Sequence, residues 1–212
     1  MPTLTTLFAF VLATTVLVLV PGPGMLFLLA RGIGHGRRAA VLSALGVESA
    51  TVVFVLLSAA GLTAVVAASA TALLVIRWVG AGYLAHLAIR AFRGAGEPTV
   101  RAAGAPPSSR RAFLEAFTVG ISNPKVALFF LAFLPQFVRP DAGPAGEQVL
   151  VLGAVFVTLG LSFDLICATA AGSIGAWLAR RPVLVRRQRY VTGTVYLTLA
   201  GSAALGTGTH RT

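Results

Sequence analysis

From Ala39 to Ile76 the chain carries a single charged residue, Glu48. A continuous helix over that stretch would reach about 57 Å at 1.5 Å per residue, nearly twice the ~30 Å hydrocarbon core of a bilayer. The stretch therefore holds one full membrane crossing, a tight turn near 67–71, and the start of another. Similar uncharged runs recur along the chain. With 57% hydrophobic and 11% charged residues, there is too little polar surface to keep a domain of this size dispersed in water.

Divided this way, 212 residues form one transmembrane domain, all-α, with about six helices: 4–30, 40–66, 71–92, 112–137, 148–179 and 190–206. The first run reads as a retained first helix and not as a signal peptide. No positive charge precedes it, the first being Arg31, and it is too long for a leader's apolar region.

A formal net charge of +11 invites a nucleic-acid reading. The arginines, however, gather in short gaps between apolar runs, which is a topological pattern and not a basic binding face, so nucleic acid is not an expected partner. Arg31, Arg37 and Arg38 fill the first gap. Arg90, Arg93, Arg101, Arg110 and Arg111 mark the third, and Arg180, Arg181, Arg186, Arg187 and Arg189 the fifth. By the positive-inside rule these gaps are cytoplasmic, and both termini are expected outside. Trp78 and Trp177 fall near segment ends, as interfacial anchors do. Cys167 stands alone and His35, His86 and His210 are scattered, so the sequence offers no disulfide, metal cluster or cofactor motif.

The two halves echo one another. Gly80-Ala81-Gly82-Tyr83-Leu84 and Gly193-Thr194-Val195-Tyr196-Leu197 share a G-x-x-Y-L frame, and Leu26-Phe27-Leu28-Leu29-Ala30 resembles Leu128-Phe129-Phe130-Leu131-Ala132. Three helices per half would make the repeat inverted, with broken helices 1 and 4 meeting near the midplane. Proline supplies both breaks: Pro21-Gly22-Pro23-Gly24 in the first segment and Asn123-Pro124 in the fourth. Proline removes a helical hydrogen bond, and backbone freed at membrane depth has to be satisfied by protein or by water in a cavity.

Three ionisable residues stand out well inside apolar segments. Lys125, the sole lysine, follows the second break directly; Glu48 and Asp164 lie well within segments two and five. Charges at such depth are costly and mark transport pathways by default. Lys125 suits a substrate carboxylate, an acidic side chain or the freed carbonyls. Either acid suits a transported proton or a substrate amine. Glu115 lies beside Arg110 and Arg111 and reads as interfacial, while glycines such as Gly46 and Gly160 read as close-packing positions.

Taken in order, Pro21-Gly22-Pro23-Gly24-Met25, Leu45-Gly46-Val47, Gly80-Ala81-Gly82-Tyr83-Leu84, Asn123-Pro124-Lys125-Val126-Ala127-Leu128-Phe129-Phe130 and Phe133-Leu134-Pro135-Gln136-Phe137 resemble the LysE/RhtB family of amino-acid exporters. The resemblance spans nearly the whole chain. It implies a bacterial inner-membrane protein that exports an amino acid or close derivative against entering protons, with no cofactor and no enzymatic step. On it, Pro21, Gly22, Pro23, Gly24, Asn123, Pro124 and Lys125 would bind substrate, and Asp164 or Glu48 would carry the proton. Ala50, Thr51 and Phe54 depart from the family's usual residues, and Glu48 stands where a small or polar residue is usual. A channel, or a membrane component of a partner complex, is the competing reading. Lipid is the surrounding partner; a homodimer is compatible with the size, though no interface is marked.

Overall fold

The computed structural model describes residues 1–20, 22–68 and 107–179, with single positions between 78 and 93 and between 190 and 201. The expected segments three and six, the G-x-x-Y-L frames and Pro21 lie outside the described residues, apart from such single positions. Among the described residues every element is helical, with no strand. Helix α1 covers Leu4–Leu19 and α2 covers Pro23–Ala68. Helix α3 covers Ser109–Ile121 and α4 covers Pro124–Leu128. The chain then tightens through a π turn at Phe129–Phe133 and 3-10 turns at Leu134–Phe137 and Pro140–Ala142. Helix α5 closes the described part at Ala145–Ala179.

Local chemistry sets these boundaries. Thr3 caps α1 by accepting the Thr6 amide at 3.2 Å, and Ser108 accepts the Arg111 amide at 3.3 Å to start α3. Pro23 opens α2 and Pro124 opens α4, first-turn positions at which a missing N–H costs nothing. The basic stretch expected as a gap after Ala30 is instead helical through His35. The axis breaks at one residue, Gly36 (φ 82°, ψ 172°), a backbone conformation open to glycine alone without strain.

Among the described residues two helical stretches are long and apolar enough to cross a membrane, Pro23–Leu62 and Ala145–Ala171. The pair Ser109–Ile121 and Pro124–Phe137, bent by 45°, makes a broken third, and α1 is a shorter apolar helix. Along α1, Leu4, Phe8, Leu12, Val16 and Leu19 are exposed on one side while Phe10, Thr14 and Leu17 are buried. That division suits a helix with lipid on one face and protein on the other.

Packing joins α2 to both α3 and α5. The α2–α3 contact is close enough to touch backbone: a Cβ on Gly46 would lie 2.4 Å from the Phe113 carbonyl oxygen, and one on Gly120 would lie 2.8 Å from the Ala50 Cβ. Close approach of this kind is what drives helix association in lipid, where hydrophobicity gives no net pull. Gly46→Val is therefore expected to cost about 1–3 kcal/mol through forced separation of the helices. A thermal melt of the purified, detergent-solubilised protein checks this; an unchanged melting temperature would remove the claim of backbone contact.

A second zone is aromatic. Phe129 stacks obliquely on Phe156 with centroids 4.7 Å apart and meets Phe10 at 5.7 Å, tying α1, the π turn and α5 together. At one end of the bundle Arg31 of α2 lies over the Phe27 ring and pairs with Glu115 of α3, which also accepts from Arg111 Nε at 2.7 Å. At another point the N-terminal ammonium donates to the Ala142 carbonyl, so the chain start lies against the turn that leads into α5.

Candidate functional site

Helix α1 stops at Leu19, which leaves its final carbonyls without intrahelical partners. Water could satisfy them at a surface; here the Val20 amide reaches the Leu17 carbonyl at 3.2 Å and a side chain supplies further donors. Lys125 Nζ donates to the Leu17 carbonyl at 2.8 Å and to the Val20 carbonyl at 2.7 Å. The ammonium thereby sits at the negative end of the α1 dipole, where a cation is stabilised. Of the three expectations for Lys125, capping of freed carbonyls is the one the geometry realises.

The second break is locked onto the first. Asn123 Oδ1 accepts the Lys125 amide at 3.1 Å, which starts α4 and fixes where the lysine leaves the backbone. The side chain then crosses Gly22: a Cβ there would meet Lys125 Cδ and Nζ at 3.4 Å. Asn123 Nδ2 lies 3.6 Å from the corresponding point on Gly24. The glycines leave the space that Lys125 and Asn123 occupy. Pro23 and Pro124 act differently, by starting helices rather than by lining the site.

Glu48 from α2 and Asp164 from α5 complete the cluster. Together with Gly22, Gly24, Asn123 and Lys125 they line one cavity of about 50 Å³, room for a few waters. Lys125, Glu48 and Asp164 are each buried, with 8%, 7% and 8% of their surface exposed. The ion pairs among the described residues are Arg31–Glu115, Arg111–Glu115 and Arg139–Asp141, so Lys125 is not in direct contact with either acid. Glu48 Oε2 is fully shielded and has no hydrogen-bond partner. A second, larger cleft of about 260 Å³ runs between Phe54, Leu57, Leu62 and Phe130; its lining contains no ionisable group. Of these two, the smaller cavity holds the ionisable groups.

Thus the structure brings six of the nine singled-out residues to one place: Gly22, Gly24, Glu48, Asn123, Lys125 and Asp164. Pro21 lies outside the described residues. Sequence reasoning missed Gly160, read as a packing glycine. A Cβ on Gly160 would lie 2.8 Å from Glu48 Oε1, so its bare backbone is the floor on which that carboxylate rests. Its position four residues before Asp164 puts both on one face of α5, and that register was the available signal. The carbonyls of Leu17 and Val20 were likewise invisible, because backbone acceptors leave no mark in sequence. Among the described residues no group of His, Cys, Asp and Glu is arranged to hold a metal.

Comparison with known proteins places this geometry in context. Residues 15–207 match the family described as LysE type translocator. The chain is 33% identical over 171 residues to a homoserine/homoserine lactone efflux protein of Salmonella typhimurium, covering 81% of this chain and 82% of that one. It is 32% identical over 208 residues to an uncharacterized membrane protein of Pseudomonas aeruginosa, covering 93% and 94%. A leucine efflux protein of an Enterobacter species is 27% identical over 199 residues, again covering 93% and 94%. No solved structure matches.

Proposed function

The chain belongs to the LysE type translocator family, a transporter and not an enzyme, and on that premise we propose that it exports amino acids or close derivatives from the bacterial cytoplasm, driven by the proton-motive force. One observation carries the reading: two proline-started helix breaks meet at a buried cavity that holds one ammonium and two carboxyls. Discontinuous helices with ionisable groups between them are how secondary transporters bind polar solutes at membrane depth. The relatives' names point the same way. Homoserine, its lactone and leucine share a small carbon frame with an α-amino group.

In this reading the protein lies in the inner membrane with six spans arranged as two inverted three-helix repeats. The arginine-rich gaps face the cytoplasm and both termini face out. Lys125 has three N–H donors and spends two on the Leu17 and Val20 carbonyls. The third is left for a substrate carboxylate, with Asn123 and the opened backbone around Gly22 and Gly24 beside it. Asp164 or Glu48 carries the proton that enters as substrate leaves. A cavity of about 50 Å³ accommodates waters and not an amino acid, so the form described here is closed and the broken segments move to admit substrate.

Proteoliposomes containing the purified protein test this. With a proton gradient imposed and labelled homoserine, threonine and leucine supplied in turn, uphill accumulation of at least one is expected, collapsing when a protonophore is added. Flow that only follows the solute's own gradient would identify a channel and end the exporter reading.

A further inference from the structure

Two carboxyls share the cavity, but their surroundings differ. Glu48 Oε2 is a shielded acceptor with no donor, on a residue that is more than nine-tenths buried. Buried acceptors are nearly always satisfied, and one that is not calls for an explanation. Lys125 does not supply the donor, because its ammonium is held against α1 by two carbonyls on the far helix. Thr51, a turn further along α2, hydrogen-bonds the Glu48 carboxyl through its side chain, yet Oε2 is left without a donor. The other side of the carboxylate rests on Gly160, where any side chain would strike Oε1. Glu48 is thus held in place from beneath, and an acceptor is left over in a water-sized polar cavity.

We propose that Glu48 is the specificity-determining residue that receives the substrate's α-ammonium, leaving Asp164 to carry the proton. The inference rests on the export reading above and deepens it by dividing the labour of the two acids. An ammonium donates three N–H groups and supplies the charged donor that the unpartnered Glu48 Oε2 lacks. Once it is seated, a proton on neighbouring Asp164 is disfavoured by like charge, so arrival of substrate and loss of the proton become linked. Lys125, held on the Leu17 and Val20 carbonyls, meets the carboxylate end. The class of substrate follows: small solutes with a free primary amine next to a carboxyl or carboxyl-derived group.

The test compares an amine with its isosteric 2-hydroxy acid. The best-transported amino acid is first found with a full amino-acid panel in proteoliposomes, and its 2-hydroxy analogue is then measured beside it. The wild-type protein is expected to show a KM for the amine about 10- to 100-fold below that for the hydroxy analogue, the span of one charge-assisted hydrogen bond. In Glu48→Gln the ratio should fall toward one. Gly160→Ala, which keeps the carboxylate but forces it to shift, should lower the ratio too. Gel filtration of each variant reads out the fold, and the two variants perturb the site from different helices, so failure of one to fold leaves the other decisive. Retention of the wild-type amine preference in a folded Glu48→Gln or Gly160→Ala protein overturns the inference while export stands. Absence of transport for every amino acid overturns the export reading itself.

Discussion

Lys125→Met is expected to abolish export and to destabilise the protein by about 1–3 kcal/mol. Methionine matches the length of the lysine stem, so packing across Gly22 is largely kept and the loss is polar. The Val20 carbonyl loses the lysine's hydrogen bond, and the Leu17 carbonyl loses one of two donors, keeping the Val20 amide at 3.2 Å. Each buried acceptor left unsatisfied costs about 1–3 kcal/mol, and within a bilayer there is little water to replace the lost bond. That cost is reduced because the mutation also removes a buried charge and its desolvation penalty. Lys125→Arg should not rescue: a planar guanidinium is bulkier than an ammonium and cannot turn toward two carbonyls against Gly22 in the same way. The readouts are thermal unfolding in detergent and amino-acid efflux from an expressing strain. A Met variant that melts and exports like the wild type would show that the carbonyl cap is dispensable.

That cap also explains which parts of the site could be read from sequence. Prolines at 21, 23 and 124 announce helix breaks because ring geometry forbids the hydrogen bond whatever the tertiary fold. Glu48, Lys125 and Asp164 stand out because charge is so rare in their segments. Their depth in apolar segments marked them as one transport pathway, and the described part of the structure places all three in one cavity. What they contact was not legible. Lys125 meets carbonyls more than a hundred residues earlier, and backbone acceptors carry no residue identity. Gly160 looked like any close-packing glycine, since composition cannot tell a contact with a helix from a contact with a carboxylate. The stretch Arg31–His35 misled for another reason: charge and glycine suggested a loop, yet one residue with positive φ, Gly36, suffices for the break. Arg31 then becomes useful as a helical side chain, stacked on Phe27 one turn earlier and paired to Glu115.

Asp164→Asn is expected to uncouple the protein. An amide cannot take up and release a proton, so proton-driven accumulation should fall about 100-fold or more, the scale of losing a positioned proton-transfer group. Stability should change little. The replacement is nearly isosteric, and it exchanges a buried ionisable group, 8% exposed and in no ion pair among the described residues, for a neutral one with lower desolvation cost. Exchange of labelled for unlabelled substrate across the membrane needs no net proton movement and should survive. Asp164→Glu keeps the carboxyl and should retain part of the coupled rate, since the longer side chain enters a cavity of only about 50 Å³. The measurement is proton-driven uptake set against counterflow in the same proteoliposomes. Loss of both activities would mean that Asp164 holds substrate or structure and not the proton; undiminished proton-driven uptake would move the proton to Glu48, the remaining carboxyl in the cavity, and would leave the amine-receiving role of that residue untenable.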